Sequence, residues 1–204
     1  MKLEWEYAYW QAVLHGLTKP KVPVIEYIPE KRRLPERVLQ VGSAWKGIES
    51  ILSDLIEKFE VKTDRCLEFG VDYGYSTVAL SSFFDNVVGV DTFVGDKHMG
   101  SIRDIYADTR DRLSTFKNIE LKRNDYRDWI LNDQSTYDLI HVDIIHTYSD
   151  TYTCGRWSAH RSKCVIFHDT QSFPAVKAAV TAIARETGKS FHEFKESNGL
   201  GILV

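Results

Sequence analysis

The segment Arg65-Cys-Leu-Glu-Phe69-Gly70-Val-Asp72-Tyr-Gly74-Tyr-Ser76-Thr77 determines which fold the chain adopts. Its first five residues form a short apolar run typical of a buried strand, and a helical pattern extends from about Ser76 to Phe84. Gly70 and Gly74 permit a tight turn between the two and let a ligand approach the backbone closely. The spacing G-x-x-x-G matches neither the dinucleotide fingerprint G-x-G-x-x-G nor a P-loop.

Downstream of this segment, short apolar runs alternate with helix-period stretches, which is typical of a parallel α/β sheet. Further strands are predicted at Asn86–Val90, Ile119–Lys122, Tyr137–Val142 and Lys163–Phe167, with two short ones flanking the turn Ser197-Asn-Gly199. A helix that begins near Pro174 is expected to end at Gly188. We therefore predict an α/β domain over residues 63–204, with a seven-stranded, mostly parallel sheet and helices on both faces.

Residues 1–62 give no convincing strand pattern and are predicted to form a helical appendage or lid. Apolar residues at spacings of three and four predict a first helix, namely Leu3, Tyr7, Trp10, Leu14 and Leu17. The stretch from Lys19 to Pro35 holds four of the five prolines and predicts an extended connector. A second helix, capped by Ser43, would bury Trp45 and the apolar residues up to Phe59. The aromatic residues of this part are expected to pack on the sheet, to stack on a substrate or to form a dimer contact.

The composition excludes several classes of protein. The 204 residues carry a net charge of −3, so no basic field favours nucleic acid. No apolar run approaches the roughly 18 residues of a membrane helix, and the acidic N-terminus lacks the apolar region of a secretory signal. Three widely spaced cysteines (Cys66, Cys154 and Cys164) give neither a disulfide framework nor a metal-binding pair. A reducing cytoplasmic setting is therefore expected.

Acidic residues follow the predicted strands one after another. Asp91 ends the second strand, 21 residues after Gly70, and Asp125 follows the third. Ligands of open α/β sheets bind outside the carboxyl ends of the strands, so these acids lie where a cofactor is expected. Asp91 suits a ribose diol, because a carboxylate accepts two hydroxyl hydrogen bonds at once. Glu68, directly before the glycine turn, would repel a pyrophosphate and attract a cation.

The fourth and fifth strands end in a second pattern of acids and histidines. Asp143-Ile-Ile-His146-Thr-Tyr148 follows one strand and His168-Asp169-Thr170 the next. Two carboxylates at one edge repel each other, so they need a cation or a shared proton. Oxygen ligands suit Mg²⁺, which would lower the pKa of a substrate hydroxyl. His146, with an ordinary pKa of about 6.5, is then a candidate base.

The glycine turn and the strand-end acids together resemble the class I S-adenosylmethionine-dependent methyltransferases over about residues 63–204. The resemblance implies a Rossmann-like methyltransferase fold in which the glycine turn passes beneath the methionyl part of the cofactor. The cofactor-binding residues that it implies at this turn are Glu68, Gly70, Asp72, Gly74 and Ser76. It also implies that the ribose is held by the acid ending the second strand. Asp125 would read the adenine amino group, although a loop cap or a solvated acid is nearly as good an interpretation of this residue.

Three further motifs resemble one branch of that family, the metal-dependent O-methyltransferases of antibiotic and sugar biosynthesis. They are D-x-x-H-T-Y from Asp143, H-D-T from His168, and Gly95-Asp-Lys-His98-Met-Gly100. By position the resemblance implies Asp143 and Asp169 as metal ligands, His168 as a neighbour or third ligand, and His146 as the base. The chain departs from the branch in two ways: Ile144 and Ile145 replace a glycine after Asp143, and no acid follows Asp150 on the next helix.

Three interpretations of function follow from these residues. The first is methyl transfer from S-adenosylmethionine to a hydroxyl of a small molecule, assisted by Mg²⁺ and a histidine base. The second is transfer to an amine or a protein side chain. The third is a non-catalytic module that binds the cofactor or acts through partners. A small-molecule acceptor and a homo-oligomer are compatible with the sequence, whereas nucleic acid and membrane partners are not expected.

Overall fold

The fold is that of a computed structural model, which describes Trp10, Leu14 and residues 21–95 and 103–204. The helix predicted over residues 3–17, apart from Trp10 and Leu14, lies outside the described residues. So does the stretch 96–102 with His98.

Strands and helices alternate from residue 65 onward. The strands are β1 (Val24–Glu26), β2 (Arg65–Phe69), β3 (Asn86–Asp91), β4 (Ile119–Arg123), β5 (Tyr137–Val142), β6 (Ser162–His168), β7 (Phe191–Phe194) and β8 (Leu200–Leu203). The helices are α1 (Leu52–Lys58), α2 (Tyr75–Leu80), α3 (Tyr106–Leu113), α4 (Tyr126–Asn132), α5 (Tyr148–Ala159) and α6 (Pro174–Thr187). A 3₁₀ turn, Ile48–Ile51, leads directly into α1. Among the described residues, no helix has the length and apolarity needed to cross a bilayer.

The strands of the described residues form one sheet in the order β1-β7-β8-β6-β5-β2-β3-β4. Only β8 runs antiparallel to its neighbours, β6 and β7, and all the other pairs are parallel. This confirms the predicted mostly parallel α/β fold of the Rossmann-like type. The N-terminal half of the sheet grows outward from β2 to β4, and the chain then returns to place β5 on the other side of β2. The order therefore reverses between β2 and β5, which makes this pair the switch point of the sheet.

The sheet has eight strands, so the expectation of seven was one short. The additional strand, β1, lies within the proline-rich connector and pairs in parallel with β7, Val24 opposite Phe191. All three of its residues are exposed, so no alternation of apolar and polar residues reveals it. Its position at the edge of the sheet also tolerates the neighbouring prolines, Pro23 and Pro29. The prediction that residues 1–62 contain no strand was therefore wrong.

The second predicted helix begins later than expected. Residues 44–47 form a turn, and the hydroxyl of Ser43 accepts a hydrogen bond from the backbone of Trp45 at 3.1 Å instead of capping a helix. The apolar face was predicted correctly, because Trp45, Ile48 and Leu55 are all buried. These side chains belong to the same core as one face of the sheet. The division of the chain at residue 62 remains a prediction.

Two apolar cores cover the two faces of the sheet. On one face, Cys66, Leu139 and Ile166 of the central strands pack with the 45–55 segment and α2. On the other face, Leu67, Ile140 and Val165 pack with α5 and α6. Burial of both faces explains why the central strands are continuous apolar runs without alternation. The helices thus leave the carboxyl edge of the sheet as its accessible part.

Gly70 shows how tightly the switch point is built. Its φ of +90° lies in the left-handed region, and a Cβ at this position would stand 1.7 Å from the carbonyl oxygen of Asp143. The backbone after β2 therefore touches the backbone after β5, and only glycine fits there. This close approach brings the glycine turn and the first residue of the D-x-x-H-T-Y motif to the same place.

We expect Gly70→Ala to destabilise the protein more than Gly188→Ala. Both glycines have positive φ, but a Cβ at Gly188 would meet nothing within 4 Å. Gly188→Ala therefore measures the left-handed backbone alone, about 1–2 kcal/mol. Gly70→Ala adds the collision with Asp143, about 1–3 kcal/mol more. Urea unfolding of the two variants measures the difference, and equal losses would show that the contact at Asp143 is relaxed at no cost.

Candidate active site

A cavity of about 530 Å³ lies at the carboxyl edge of the sheet, at the switch point. Its size suits a ligand of nucleoside dimensions. Most of the residues predicted to bind the cofactor, metal or proton line it, namely Gly70, Asp72, Ser76, Asp91, Asp125, Asp143, His146, His168 and Asp169. Glu68 and Gly74 do not. Glu68 is fully buried beneath the turn, and Gly74 lies against Leu113, 2.8 Å from where its Cβ would stand.

Asp91 clamps the glycine turn. One of its carboxylate oxygens accepts hydrogen bonds from the backbone of Val71 at 2.8 Å and of Asp72 at 2.9 Å. The other accepts one from the backbone of Phe93 at 2.7 Å. A carboxylate offers about four acceptor positions, so the three backbone bonds leave limited capacity for a ribose diol. The sequence indicated an acid beside the cofactor, but it gave no sign that the same acid shapes the turn.

Asp72 lies on the cavity wall and is tied to a residue beyond β3. The guanidinium of Arg103 contacts its carboxylate at 2.5 Å and donates a second hydrogen bond to the hydroxyl of Tyr73 at 2.8 Å. Burial raises the pKa of Asp72, and Arg103 acts in the opposite direction. The backbone of Asp72 is left-handed, with φ of +50°. The turn is therefore held from both sides, by Asp91 from within and by Arg103 from above.

Asp125 is the N-cap of α4. Its carboxylate accepts the backbone N–H of Arg127 at 2.8 Å and pairs with the guanidinium of the same residue at 3.1 Å. Arg127 also pairs with Asp150 at the start of α5. The alternative interpretation of Asp125 as a cap is thus correct, and contact with an adenine amino group stays a prediction. Trp129, on α4, is half-buried and packs against the core on that face of the sheet.

Two carboxylates and two imidazoles meet where β5 and β6 end. We call Asp143, His146, His168 and Asp169 the reaction cluster. Nε2 of His146 lies 2.9 Å from Asp169 and 3.5 Å from Asp143. Nδ1 of His168 lies 3.2 Å from each of the same two carboxylates. Each acid therefore contacts both histidines, and each histidine contacts both acids.

The packing around the reaction cluster orients its members. The ring of His146 stacks on Phe173, with centroids 4.2 Å apart and planes 11° from parallel. His168 is the last residue of β6 and is 2% exposed, so its ring is fixed by the sheet. Asp169 has a left-handed backbone, φ +66°, which is uncommon for a non-glycine residue and typical of functional positions.

The contacts within the reaction cluster shift the pKa values of its members. Burial lowers the pKa of His146, but its hydrogen bonds with Asp143 and Asp169 prevail and raise it to about 9. The same balance raises the pKa of His168 to about 10. Burial raises the pKa of each carboxyl group, but its contacts with the two histidines outweigh that effect and lower the pKa. Both imidazoles are therefore protonated near neutral pH when no metal is bound, and the cluster is electrically balanced.

The reaction cluster has a donor set that fits a divalent cation. Asp143, His146 and Asp169 each offer one ligand atom, and these three atoms lie within 4.8 Å of one another. Carboxylate oxygens suit Mg²⁺ or Mn²⁺, and an imidazole nitrogen suits a transition metal. The sequence favoured His168 as the third ligand. In the structure, the ligand atom of His146 lies within 4.8 Å of those of the two carboxylates.

The N-terminal segment contributes a wall that sequence motifs did not indicate. Residues 42–45 line the cavity, and the indole of Trp45 donates to His141 in the sheet beneath. No charged or catalytic pattern marks Gly42-Ser-Ala-Trp45, so only its packing reveals its place. Ile144 and Ile145, the departures from the branch, also line the cavity without filling it.

Three solved structures share the fold of this chain. An O-methyltransferase from Bacillus cereus in complex with S-adenosylhomocysteine has 14% identity and a TM-score of 0.55, over 98% of this chain and 89% of that one. CalS10, an amino pentose methyltransferase from Micromonospora echinaspora with bound S-adenosylmethionine, has 12% identity and a TM-score of 0.58, over 79% and 92%. TomG, an O-methyltransferase from Streptomyces achromogenes, has 14% identity and a TM-score of 0.51, over 73% and 76%.

At the level of sequence, no curated protein matches the chain. One family model does match, over residues 67–170, and it is described as a methyltransferase domain. The match covers half of the chain, from the middle of β2 to the residue after Asp169, and so it spans both the glycine turn and the reaction cluster. The resemblance drawn from the motifs is confirmed, and the chain belongs to this methyltransferase-domain family.

Proposed function

We propose that the protein transfers a methyl group from S-adenosylmethionine to a hydroxyl oxygen of a small molecule. The observation that carries the proposal is a single cavity that extends from the glycine turn and Asp91 to the reaction cluster. One end has the backbone approach and acid that suit a nucleoside. The other end has the charged groups that suit a hydroxyl which must lose its proton.

At the cofactor end, Gly70, Asp72 and Ser76 are proposed to border the methionyl part, and Asp91 the ribose. Asp91 has one acceptor position beyond its three backbone bonds, so a ribose hydroxyl can add to the carboxylate without opening the turn. S-adenosylmethionine supplies the chemistry itself, because its sulfonium carries an electrophilic methyl group. The protein contributes the alignment of the acceptor oxygen with that methyl group, worth up to about 7–11 kcal/mol of barrier.

At the reaction end, Asp143 and Asp169 are proposed to hold a divalent cation, with His168 beside them. Such an ion would bind the acceptor oxygen and lower the pKa of its hydroxyl. His146 is proposed to take the hydroxyl proton at Nε2. The same nitrogen cannot hold a metal and accept a proton at once, so the base role assigned to His146 leaves the ion to the carboxylates.

The proposal is tested first by a screen with S-adenosylmethionine and three acceptor classes: hydroxylated natural products and sugars, amines, and peptides. We expect S-adenosylhomocysteine to form with hydroxyl acceptors and more product with Mg²⁺ or Mn²⁺ than with EDTA. Product from amines or peptides alone would replace the O-methyl proposal by N-methyl transfer. Binding of S-adenosylhomocysteine without product in any class would favour the non-catalytic module.

We expect Asp91→Asn to weaken S-adenosylhomocysteine binding about tenfold or more, because the amide keeps one acceptor oxygen but loses the charge. Isothermal titration calorimetry measures the change. Asp138→Asn is the matched control, since Asp138 also accepts a backbone hydrogen bond, from Arg65 at 2.8 Å, but lies at the opposite end of the sheet. Equal affinities for Asp91→Asn and the wild type would remove the ribose assignment.

We expect His146→Gln to keep S-adenosylhomocysteine and Mn²⁺ affinity and to lose about 10²–10⁴-fold in turnover, the usual contribution of a positioned base. Turnover is measured on the best acceptor of the screen, and Mn²⁺ binding by electron paramagnetic resonance. His160→Gln, at the exposed end of α5, is the control. A large loss of Mn²⁺ affinity in His146→Gln would instead make this residue a metal ligand.

The proton on His146 gives a prediction for the metal-free protein. In EDTA we expect the imidazole to titrate near pH 9, as its contacts with Asp143 and Asp169 raise its pKa to about 9. A neutral imidazole is the active base, so turnover without metal should rise with pH up to that range. Addition of Mg²⁺ should lower the pKa, because a nearby cation disfavours the protonated form. Histidine NMR titration with and without Mg²⁺, with His146→Gln to assign the signal, measures the pKa, and initial rates in EDTA across the pH range measure turnover. A pKa near 6.5 in EDTA would contradict the contacts of the reaction cluster.

A further inference from the structure

Four side chains from separate parts of the sequence form a continuous buried hydrogen-bond network beneath the cavity. The hydroxyl of Thr77 donates to one carboxylate oxygen of Glu68. The other oxygen lies 2.9 Å from Nδ1 of His141, and Nε2 of His141 accepts from the indole of Trp45 at 3.1 Å. Three of these residues are completely buried, and Trp45 is 2% exposed. We call these four side chains the Trp45–Thr77 network.

The sheet register places the two middle members of this network next to each other. Glu68 of β2 and His141 of β5 are direct partners across two parallel strands, so their side chains leave the sheet on the same face. That face packs against α2 and the 45–55 segment, which bring Thr77 and Trp45 to the two ends. The network therefore depends on strand pairing across the switch point and on helix packing, and no short sequence motif contains it.

The donors and acceptors fix the tautomer of His141. An indole N–H can only donate, so Nε2 of His141 accepts and the ring proton lies on Nδ1. Nδ1 then donates to Glu68, which receives its second hydrogen bond from Thr77. Every side-chain polar atom of the network has at least one hydrogen-bond partner, so the buried groups are satisfied.

A polar chain is an expensive way to fill a core, because apolar residues of the same volume would usually stabilise the fold at least as well. What directional hydrogen bonds add is a fixed position for each member. The member whose position matters outside the core is Trp45, because residues 42–45 line the cavity beside Tyr75 and Ser76. Trp45 is the only one of the four that lines it.

The other three members of the network are close in sequence to residues that line the cavity. Glu68 stands two residues before Gly70, His141 two residues before Asp143, and Thr77 directly after Ser76. The β7–β8 turn also holds this segment, since the hydroxyl of Ser197 donates to the carbonyl of Lys46, the residue after Trp45, at 2.8 Å. The wall is thus held at its Trp45 end by two contacts, the indole bond to His141 and the bond from the β7–β8 turn.

We propose that Glu68, His141 and Thr77 are positioning residues that hold Trp45, and with it residues 42–45, as the wall against which the methionyl part of the methyl donor binds. The inference rests on the proposed function, because it names that donor. Glu68 then acts on the donor through Trp45 and not by direct contact, in place of the direct role that the sequence suggested.

The test uses a variant of Thr77, the member of the network that is farthest from Trp45 along the hydrogen bonds. Thr77→Val keeps the shape and removes the hydroxyl donor to Glu68. We expect S-adenosylhomocysteine binding to weaken about three- to tenfold, the range of one buried hydrogen bond. The indole N–H signal of Trp45 in a ¹H–¹⁵N spectrum should shift as well, and Trp45→Phe assigns it. Thr77→Ser, which returns the hydroxyl, should restore both.

Matched controls separate this role from a general loss of stability. Thr181→Val removes a hydroxyl that donates to a backbone carbonyl within α6, outside the cavity, and should change neither readout. Trp45→Phe keeps an aromatic ring and loses the N–H, so it should weaken binding even if Thr77→Val fails to fold. Wild-type affinity in Trp45→Phe, or in a folded Thr77→Val, overturns the positioning role alone. Absence of S-adenosylhomocysteine binding by the wild type overturns the proposed function and this inference together.

Discussion

The carboxylates of Asp143 and Asp169 lie at the ends of adjacent parallel strands, and each needs positive charge within the same small volume. In the metal-free protein that charge comes from His146 and His168, whose raised pKa values keep both rings protonated. Two negative and two positive groups then balance each other. A divalent cation would supply the same charge from one atom, so the proposed metal and the protons would compete for one position.

In the proposed function, this competition would decide when His146 can serve as a base. A protonated imidazole cannot accept the hydroxyl proton, whereas a cation on the carboxylates would take over the charge balance and allow the ring to lose its proton. The stack on Phe173, with centroids 4.2 Å apart, holds the imidazole ring in place. The proposed metal binding and the proposed base role of His146 would therefore be coupled through the charge balance of the reaction cluster.

The sequence predicted the parts of this site that depend on local pattern. The turn from Gly70, the acid at Asp91 and the ends of β5 and β6 follow from apolar runs and their flanking residues. Whatever depends on pairing between distant segments was not predictable: the three exposed residues of β1, the backbone bonds of Asp91, and the partners of Glu68. Glu68 illustrates the reason, because its role depends on standing opposite His141, and register across a parallel pair cannot be read from either strand alone.

The two close arrangements at the switch point have a common origin. Gly70 touches the backbone of Asp143, and Glu68 faces His141, because β2 and β5 are neighbours in one fixed register. A shift of that register by one residue would turn Glu68 to the opposite face, away from His141. It would also separate the glycine turn from the reaction cluster. The buried polar pair and the glycine contact therefore both depend on the alignment that joins the cofactor end of the cavity to its reaction end.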